Sequence, residues 1–199
     1  MSGEDSLDAL RLTLAPAIAD AAAFDGWSKL AVTSAAEAAG IDPASAQYAF
    51  SGGAMAMIEA WVQSVDAAMA KALPAEKLAT MKIRERIRSL VQFRLDAVAH
   101  QKEALRRALA IMASPQNMVR SLQLGWHSAD AMWRLAGDVA TDYNHYTKRL
   151  LLSGVITSTT LYWLNDSSPG HEKTWTFLAR RIDDVLKLGA LAGRLRKAP

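Results

Sequence analysis

Residues 142–185 constrain the fold more than any other part of the chain. Their pattern predicts two long helices separated by a sharp Ser-Pro turn. The first helix, about 141–164, is apolar nearly all round and carries small residues at its centre, whereas the second, about 169–195, is amphipathic. A helix this apolar has to be covered by protein or by lipid. The segment therefore predicts either a deeply buried helix or a surface that holds an apolar ligand.

The rest of the chain supports an all-α fold. Alanine and leucine are abundant among the 199 residues, and the Val/Ile/Thr alternation of strands is nearly absent. This length allows one domain with a sizeable core. The sequence has no cysteine, which excludes disulfides and thiolate metal sites. We expect one compact helical domain.

Charge is unevenly distributed along the chain. Residues 1–81 contain 4 Lys/Arg and 10 Asp/Glu, a net charge of −6, whereas residues 82–199 contain 19 and 10, a net charge of +9. Opposite charges attract over a distance of about 10 Å at 0.1 M salt. An anionic partner should therefore meet the C-terminal part of the protein.

Residues 8–73 have the order and spacing of a helix-turn-helix. The Gly40-Ile41-Asp42-Pro43 turn and the short helix ending in Tyr48-Ala49-Phe50 resemble the N-terminal domain of TetR-type regulators. That resemblance implies a TetR-like fold, in which residues 81–195 form a helical region for ligand binding and dimerisation.

DNA binding requires positive charge and base-edge donors, and this region has few of them. Between residues 24 and 60 there is one lysine, no arginine and four acidic residues. The short third helix offers only Ser45, Gln47 and Tyr48. We interpret residues 8–73 as a degenerate scaffold that binds no nucleic acid, and the alternative is a ligand-responsive transcription regulator of the TetR type.

No motif of an enzyme or a metal site stands out. His127/Asp130 and Asp142/His145 have the i,i+3 spacing that places two ligands on one helix face, but neither is the Glu-x-x-His motif of di-iron bundles. There is no glycine-rich phosphate loop after a strand and no nucleophile elbow. We therefore predict a non-enzymatic protein without a metal or other cofactor.

The aromatic residues concentrate in the last third of the chain. They either pack a core or line a cavity for an apolar ligand, and the apolar helix 141–164 favours the second interpretation. We predict that the residues lining such a lipid site include Trp133, Leu150, Val155 and Leu161.

The first turns of the same helix are polar. Arg149 lies there, beside the apolar body of the helix, where a lipid would place its headgroup. A salt bridge from Arg149 to Asp142, Asp138 or another carboxylate is the alternative interpretation of this cation.

Residues 132–184 carry four elements that together resemble the coenzyme Q protein nine family of ubiquinone biosynthesis. They are MW-x-x-AGD, TD-aromatic-N-x-YT-basic-Arg, the run Asp-Ser-Ser-Pro at 166–169 and TW-x-FL-x-x-R, and the resemblance extends from residue 26 to about 189. It implies a TetR-like protein that is not a repressor. Such a protein binds an isoprenoid quinone precursor or a phospholipid, and assists the di-iron demethoxyubiquinone hydroxylase.

The resemblance also implies roles for individual residues. Arg149 would contact a lipid headgroup, and the hydroxylase would dock on a patch formed by Asp130, Met132, Asp142, His145 and Tyr146. His145 stands where animal members have tryptophan, and Lys148 where they have arginine, so the patch is expected to be weaker or tuned to another partner.

Location and assembly are expectations of the same kind. The N-terminus resembles no targeting sequence, which suggests a bacterial-type member. The short basic tail after residue 188 would be a weak anchor. We expect a cytoplasmic homodimer, paired through its last two helices and peripheral to the inner membrane.

Overall fold

The computed structural model describes the backbone of residues 3–139 and 143–195, and the side chains of residues 6–139 and 145–187. Every regular element in these ranges is helical, which confirms the all-α prediction. The α-helices are α1 (Gly3–Asp25), α2 (Lys29–Ala38), α3 (Pro43–Ala49), α4 (Gly53–Ala72), α5 (Ala75–Ala79), α6 (Ile83–Ala97), α7 (Lys102–Met112), α8 (Met118–Leu135), α9 (Tyr143–Leu164) and α10 (Glu172–Leu195). None of the described helices has the length and apolarity that crossing a bilayer requires.

Short polar residues set the helix boundaries of the helix-turn-helix. The Ser28 hydroxyl accepts from the N–H of Ala31, and the Asp42 carboxylate accepts from the N–H of Ser45 at 2.8 Å, so each caps the helix that follows it. Gly40 adopts a φ of +67° in the turn between α2 and α3, a conformation that glycine tolerates best. Pro16, which the sequence offered as a kink or as a helix start, lies inside α1.

The chain divides into two compact units. The first comprises the residues up to Ala68 together with Ala97–Leu124, and the second comprises Met69–Asp96 together with the residues from Gly125 onward. The predicted regions 8–73 and 81–195 have different bounds, because residues 97–124 group with the N-terminal helices rather than with the C-terminal ones.

Hydrogen bonds explain this grouping of α7 with the first unit. The Trp27 indole N–H donates to the carbonyl of Ala104 at 3.0 Å, and the Trp61 indole N–H donates to the side-chain carbonyl of Gln101 at 3.0 Å. The buried Gln101 amide in turn donates to the Pro16 carbonyl and to Asp20. Long-range contacts of this kind leave no periodic signal in the sequence.

The core of the second unit is built from α6, α8, α9 and α10, together with the end of α4 and the short α5. Its fully buried side chains include Met69, Leu78, Leu90, Met132, Leu152 and Leu178. The turn between α9 and α10 is fixed by Asp166, whose carboxylate accepts from the N–H and hydroxyl groups of both Ser168 and Thr174. These hydrogen bonds hold the pKa of Asp166 well below its usual range.

Candidate functional site

Arg149 lies at the centre of a buried charge cluster in the second unit. Its side chain is only 2% exposed. The Nε donates to Asp130 at 2.7 Å and the Nη1 donates to Asp138 at 2.7 Å. The same Nη1 also reaches the carbonyl of His145 at 3.2 Å, one turn earlier on α9. The cluster therefore ties α8, the loop after it and α9 to one guanidinium.

Two further cations lie at the rim of this Arg149 cluster. Lys148 donates to Asp138, and Arg134 donates to Asp130 at 2.7 Å. Burial alone would raise the pKa values of Asp130 and Asp138, but hydrogen bonds from the surrounding cations outweigh it and lower both. Burial opposes the charge of Arg149 too, yet its carboxylate partners raise its pKa. The two carboxylates and the central guanidinium are therefore charged near neutral pH.

Arg149 forms salt bridges in this structure, as the alternative interpretation of this cation predicted. Its partners are Asp130 and Asp138, and Asp142 lies outside the described residues. With its donors directed at two carboxylates and its side chain buried, Arg149 is not accessible to a headgroup in this arrangement. A headgroup role for Arg149 stays a prediction that requires the cluster to open.

An apolar cavity of about 20 Å³ lies in the second unit, between α6, α8, α9 and α10. Trp133 and Val155, two of the four apolar residues predicted for the lipid site, line it. The indole N–H of Trp133 donates to the carbonyl of Lys148 at 3.0 Å, so the polar edge of the ring is satisfied. The remaining lining residues are Ile83, Arg84, Ile87, Leu152, Ile182, Val185 and Leu186.

The other two predicted lipid-site residues are at the surface. Leu150 is 68% exposed and Leu161 is 51% exposed, and neither lines the cavity. They share an exposed face of α9 with Tyr146, because residues 4 and 11 positions apart return to the same side of a helix. The apolar character of α9 is thus divided between one buried face, which carries Leu152 and Val155, and one exposed face.

An aromatic cluster lies at the start of that exposed face. The ring centroids of His145 and Tyr146 are 5.2 Å apart, and those of Trp126 and Tyr146 are 5.8 Å apart. Tyr146 is 62% exposed. Trp126 was not among the residues predicted for this site, although its position one helical turn before Asp130 on α8 was a usable signal.

The predicted docking patch is only partly assembled at the surface. His145 and Tyr146 lie together in the aromatic cluster, and Asp130 is engaged with Arg149. Met132 is fully buried in the core of the second unit. Met132 is therefore not accessible to a partner in this arrangement, and its part in the docking patch stays a prediction.

The second unit carries a surplus of positive charge. The unit contains 17 Lys/Arg and 10 Asp/Glu, a net charge of +7, against −4 for the first unit. In the part of the chain whose side chains are described, no group of three or more His, Asp or Glu residues could hold a metal ion. The surplus of positive charge favours an anionic ligand or partner for the second unit.

Comparison with known proteins gives a consistent family and fold. The model of the COQ9 family matches residues 118–189. The ubiquinone biosynthesis protein COQ9, mitochondrial, of Rattus norvegicus is 34% identical over 178 residues, covering 86% of this chain and 57% of that protein. The human protein of the same name is 32% identical, covering 86% and 56%. The chain thus spans a little over half the length of these relatives.

A solved structure supports the fold. The TetR transcriptional regulator from Nitrosomonas europaea superposes with a TM-score of 0.65 at 18% sequence identity, covering 87% of this chain and 98% of the regulator. At this identity the likeness speaks for the fold alone, and it confirms the TetR-like prediction. The sequence comparisons, taken apart from the fold, lead to one conclusion: over most of its length this chain resembles the COQ9 family.

Proposed function

We propose that this protein is a non-enzymatic accessory protein of ubiquinone biosynthesis that binds a lipid in its second unit. The lipid is an isoprenoid quinone precursor or a phospholipid, and the protein assists the di-iron demethoxyubiquinone hydroxylase. Support comes from the named role of the rat and human relatives in ubiquinone biosynthesis. The observation that carries the proposal is the apolar cavity, six of whose nine lining residues lie within the family-matched residues 118–189.

The cavity has to expand to accept a lipid chain. Its volume of about 20 Å³ is close to the minimum for one water molecule, whereas sites for small organic ligands usually measure roughly 300–1,000 Å³. Val185 and Leu186 of α10 form part of its wall. Movement of α10 away from α6 would open it, and this requires their side-chain packing and the Arg84–Asp183 ion pair to separate.

A matched pair of phenylalanine substitutions tests the cavity as the lipid site. Val155→Phe fills it, whereas Thr157→Phe adds the same ring to an exposed position two residues along α9. After expression in a ubiquinone-producing bacterium, native mass spectrometry should show bound lipid on the unmodified protein and on Thr157→Phe. We expect the lipid-bound fraction of Val155→Phe to be about tenfold lower than that of the unmodified protein. The phenylalanine ring occupies the cavity, and adding a lipid chain to a space that is already filled is unfavourable.

Two results would overturn this assignment. If Val155→Phe, folded by circular dichroism, retains as much lipid as Thr157→Phe, the cavity is not the site. If Val155→Phe does not fold, Ile182→Phe on the opposite wall takes its place. An unmodified protein that is lipid-free and shows salt-sensitive, sequence-specific DNA binding would favour the alternative, a TetR-type regulator.

The aromatic cluster of Trp126, His145 and Tyr146 is the surface we propose for docking the hydroxylase. Aromatic side chains are enriched among the residues that dominate binding energy at protein interfaces. Tyr146 and the neighbouring Leu150 are both well exposed and so available to a partner. Asp142, predicted for the same patch, lies outside the described residues.

Tyr146→Ala is expected to weaken hydroxylase binding at least about fivefold while leaving the fold intact, because its ring is largely solvated and lies at the centre of the cluster. Surface plasmon resonance with the purified hydroxylase measures this. Tyr48→Ala, which removes an equally exposed tyrosine from the first unit, is the control. Equal affinities of the two variants would remove Tyr146 from the docking surface.

Assembly and membrane contact complete the proposal. We propose a homodimer through the last two helices, where Leu161 and Tyr162 of α9 are exposed and the Tyr162 ring stacks on Phe177 of α10 with centroids 4.7 Å apart. The net charge of +7 on the second unit would attract the anionic inner surface of a membrane. This contact would be peripheral. The side chains of the basic tail, predicted as a weak anchor, lie outside the described residues.

A further inference from the structure

A surface groove at the start of α6 adjoins the apolar cavity. The groove has a volume of about 490 Å³ and is lined by Lys82, Ile83, Arg84, Glu85 and Leu186. Three of these side chains, Ile83, Arg84 and Leu186, also line the cavity. The two spaces therefore share these side chains as a common wall, which makes the groove a candidate route between the cavity and solvent.

Arg84, one of the three shared side chains, forms an ion pair with α10. The Arg84 guanidinium lies 2.8 Å from the Asp183 carboxylate of α10, and both side chains are partly exposed. Asp183 is flanked on α10 by Ile182 and Val185, which line the cavity. The pair thus joins the first turn of α6 to the part of α10 that closes the cavity.

A phosphate could replace Asp183 as the partner of Arg84. A partly exposed pair contributes little to stability, since water and salt screen it. A phosphate carries more charge than a carboxylate and offers more acceptor oxygens to a guanidinium, so it competes well for Arg84. Lys82 adds a second cation in the same groove, while the Glu85 carboxylate accepts from the backbone N–H of Lys82 at 3.2 Å.

We propose that this groove is the headgroup site of the lipid and that the Arg84–Asp183 pair is the latch that keeps the cavity closed. The ligand is an amphiphile that carries a phosphate group on an apolar chain. Its phosphate takes Arg84 from Asp183 and is assisted by Lys82, and its chain passes between Ile83 and Leu186 into the cavity. The inference rests on the proposed lipid-binding function, and it places the headgroup at Arg84 rather than at the buried Arg149.

Titration with dodecyl phosphate and with dodecanol, below their aggregation concentrations, tests the latch by isothermal calorimetry. Arg84→Gln should weaken dodecyl phosphate binding about tenfold and leave dodecanol binding unchanged, because only the phosphate uses the guanidinium. Asp183→Asn should tighten dodecyl phosphate binding about threefold, because the competing carboxylate charge is removed. Arg88→Gln is the control, since Arg88 is exposed on the same helix and lines neither space.

A second pair of probes separates two sources of the phosphate. Short-chain phosphatidylglycerol represents a phospholipid, and dodecyl phosphate represents a single-chain phosphate. The tighter binder identifies the source, and dependence of that binding on Arg84 supports the proposal.

The failures are distinguishable. If dodecyl phosphate binds and Val155→Phe blocks it, but Arg84→Gln behaves like Arg88→Gln, the cavity stands and the latch is wrong. If neither probe binds the unmodified protein, the lipid-binding function fails, and the latch fails with it.

Discussion

Arg149→Leu should lower the free energy of unfolding by about 3–5 kcal/mol, since it leaves the poorly solvated carboxylates of Asp130 and Asp138 without their central cation. The guanidinium donates to both carboxylates and to one backbone carbonyl, so no single neighbour can replace it. Urea unfolding at pH 7, followed by circular dichroism and by tryptophan fluorescence, measures the loss.

The same cluster predicts how stability changes with pH. The pKa values of Asp130 and Asp138 are lower in the folded protein than the usual value of about 4 in an unfolded chain. Their contribution to stability is therefore complete above about pH 4 and is lost as the pH falls through their folded values. In Arg149→Leu each carboxylate loses the Arg149 hydrogen bond that helps to lower its pKa, and keeps only the one from Arg134 or from Lys148. We therefore expect acid to destabilise the variant less than the unmodified protein.

Arg134→Leu is the matched control for Arg149→Leu. Arg134 donates to the same Asp130 at the same distance of 2.7 Å, but its side chain is 71% exposed. An exposed ion pair contributes about 0–1 kcal/mol, so this variant should lose little stability. If the two variants lose the same free energy of unfolding, burial is not the reason that Arg149 stabilises the fold.

Leu152→Ala is expected to cost about 2–5 kcal/mol, because Leu152 is fully buried at the cavity wall and the surrounding helices can close the resulting space only in part. The substitution also enlarges the apolar cavity. If the cavity holds the lipid chain, a larger fraction of Leu152→Ala than of the unmodified protein should carry lipid in native mass spectrometry. Urea unfolding measures the cost in stability.

Leu150→Ala removes the same side chain two residues earlier on α9, from an exposed position. Its stability should stay within about 0.5 kcal/mol of the unmodified protein. Its lipid content should be unchanged, because Leu150 does not line the cavity. A loss of lipid in Leu150→Ala but not in Val155→Phe would move the lipid site from the cavity to the exposed face of α9.

The helix boundaries were predictable because local chemistry determines them. The Asp42-Pro43 cap, the glycine turn at residue 40 and the Asp166-Ser-Ser-Pro turn all act through neighbours within a few residues. The resemblance to the COQ9 family was likewise carried by short, contiguous motifs. For these features, the sequence contained the whole interaction.

Which side chains of a helix are buried and which are exposed was less predictable from the sequence. An apolar helix such as α9 offers no polar face to orient it, so the sequence could not show that Leu152 is buried while Leu150 is exposed. The same holds for Met132, which was predicted for the docking patch and packs in the core. These outcomes depend on long-range packing between helices.

The sequence left two alternatives for Arg149, a contact with a lipid headgroup and a salt bridge to a carboxylate. The acidic residues Asp130 and Asp138 are 19 and 11 positions away, so only the fold brings them to one guanidinium. The Arg84–Asp183 pair, which spans 99 positions of the sequence, had no local signature at all.

The division of the chain into two interleaved units has a consequence for fragment design. The chain leaves the first unit within α4, returns after Asp96 and leaves again within α8, so no single cut yields either unit whole. A fragment spanning the family-matched residues 118–189 would lack α6, whose Leu90 and Val91 belong to the same core as Met132 and Leu178. Such a fragment would expose that core and aggregate, so truncation mapping would mistake misfolding for loss of binding. Point substitutions in the full chain are the appropriate way to dissect this protein.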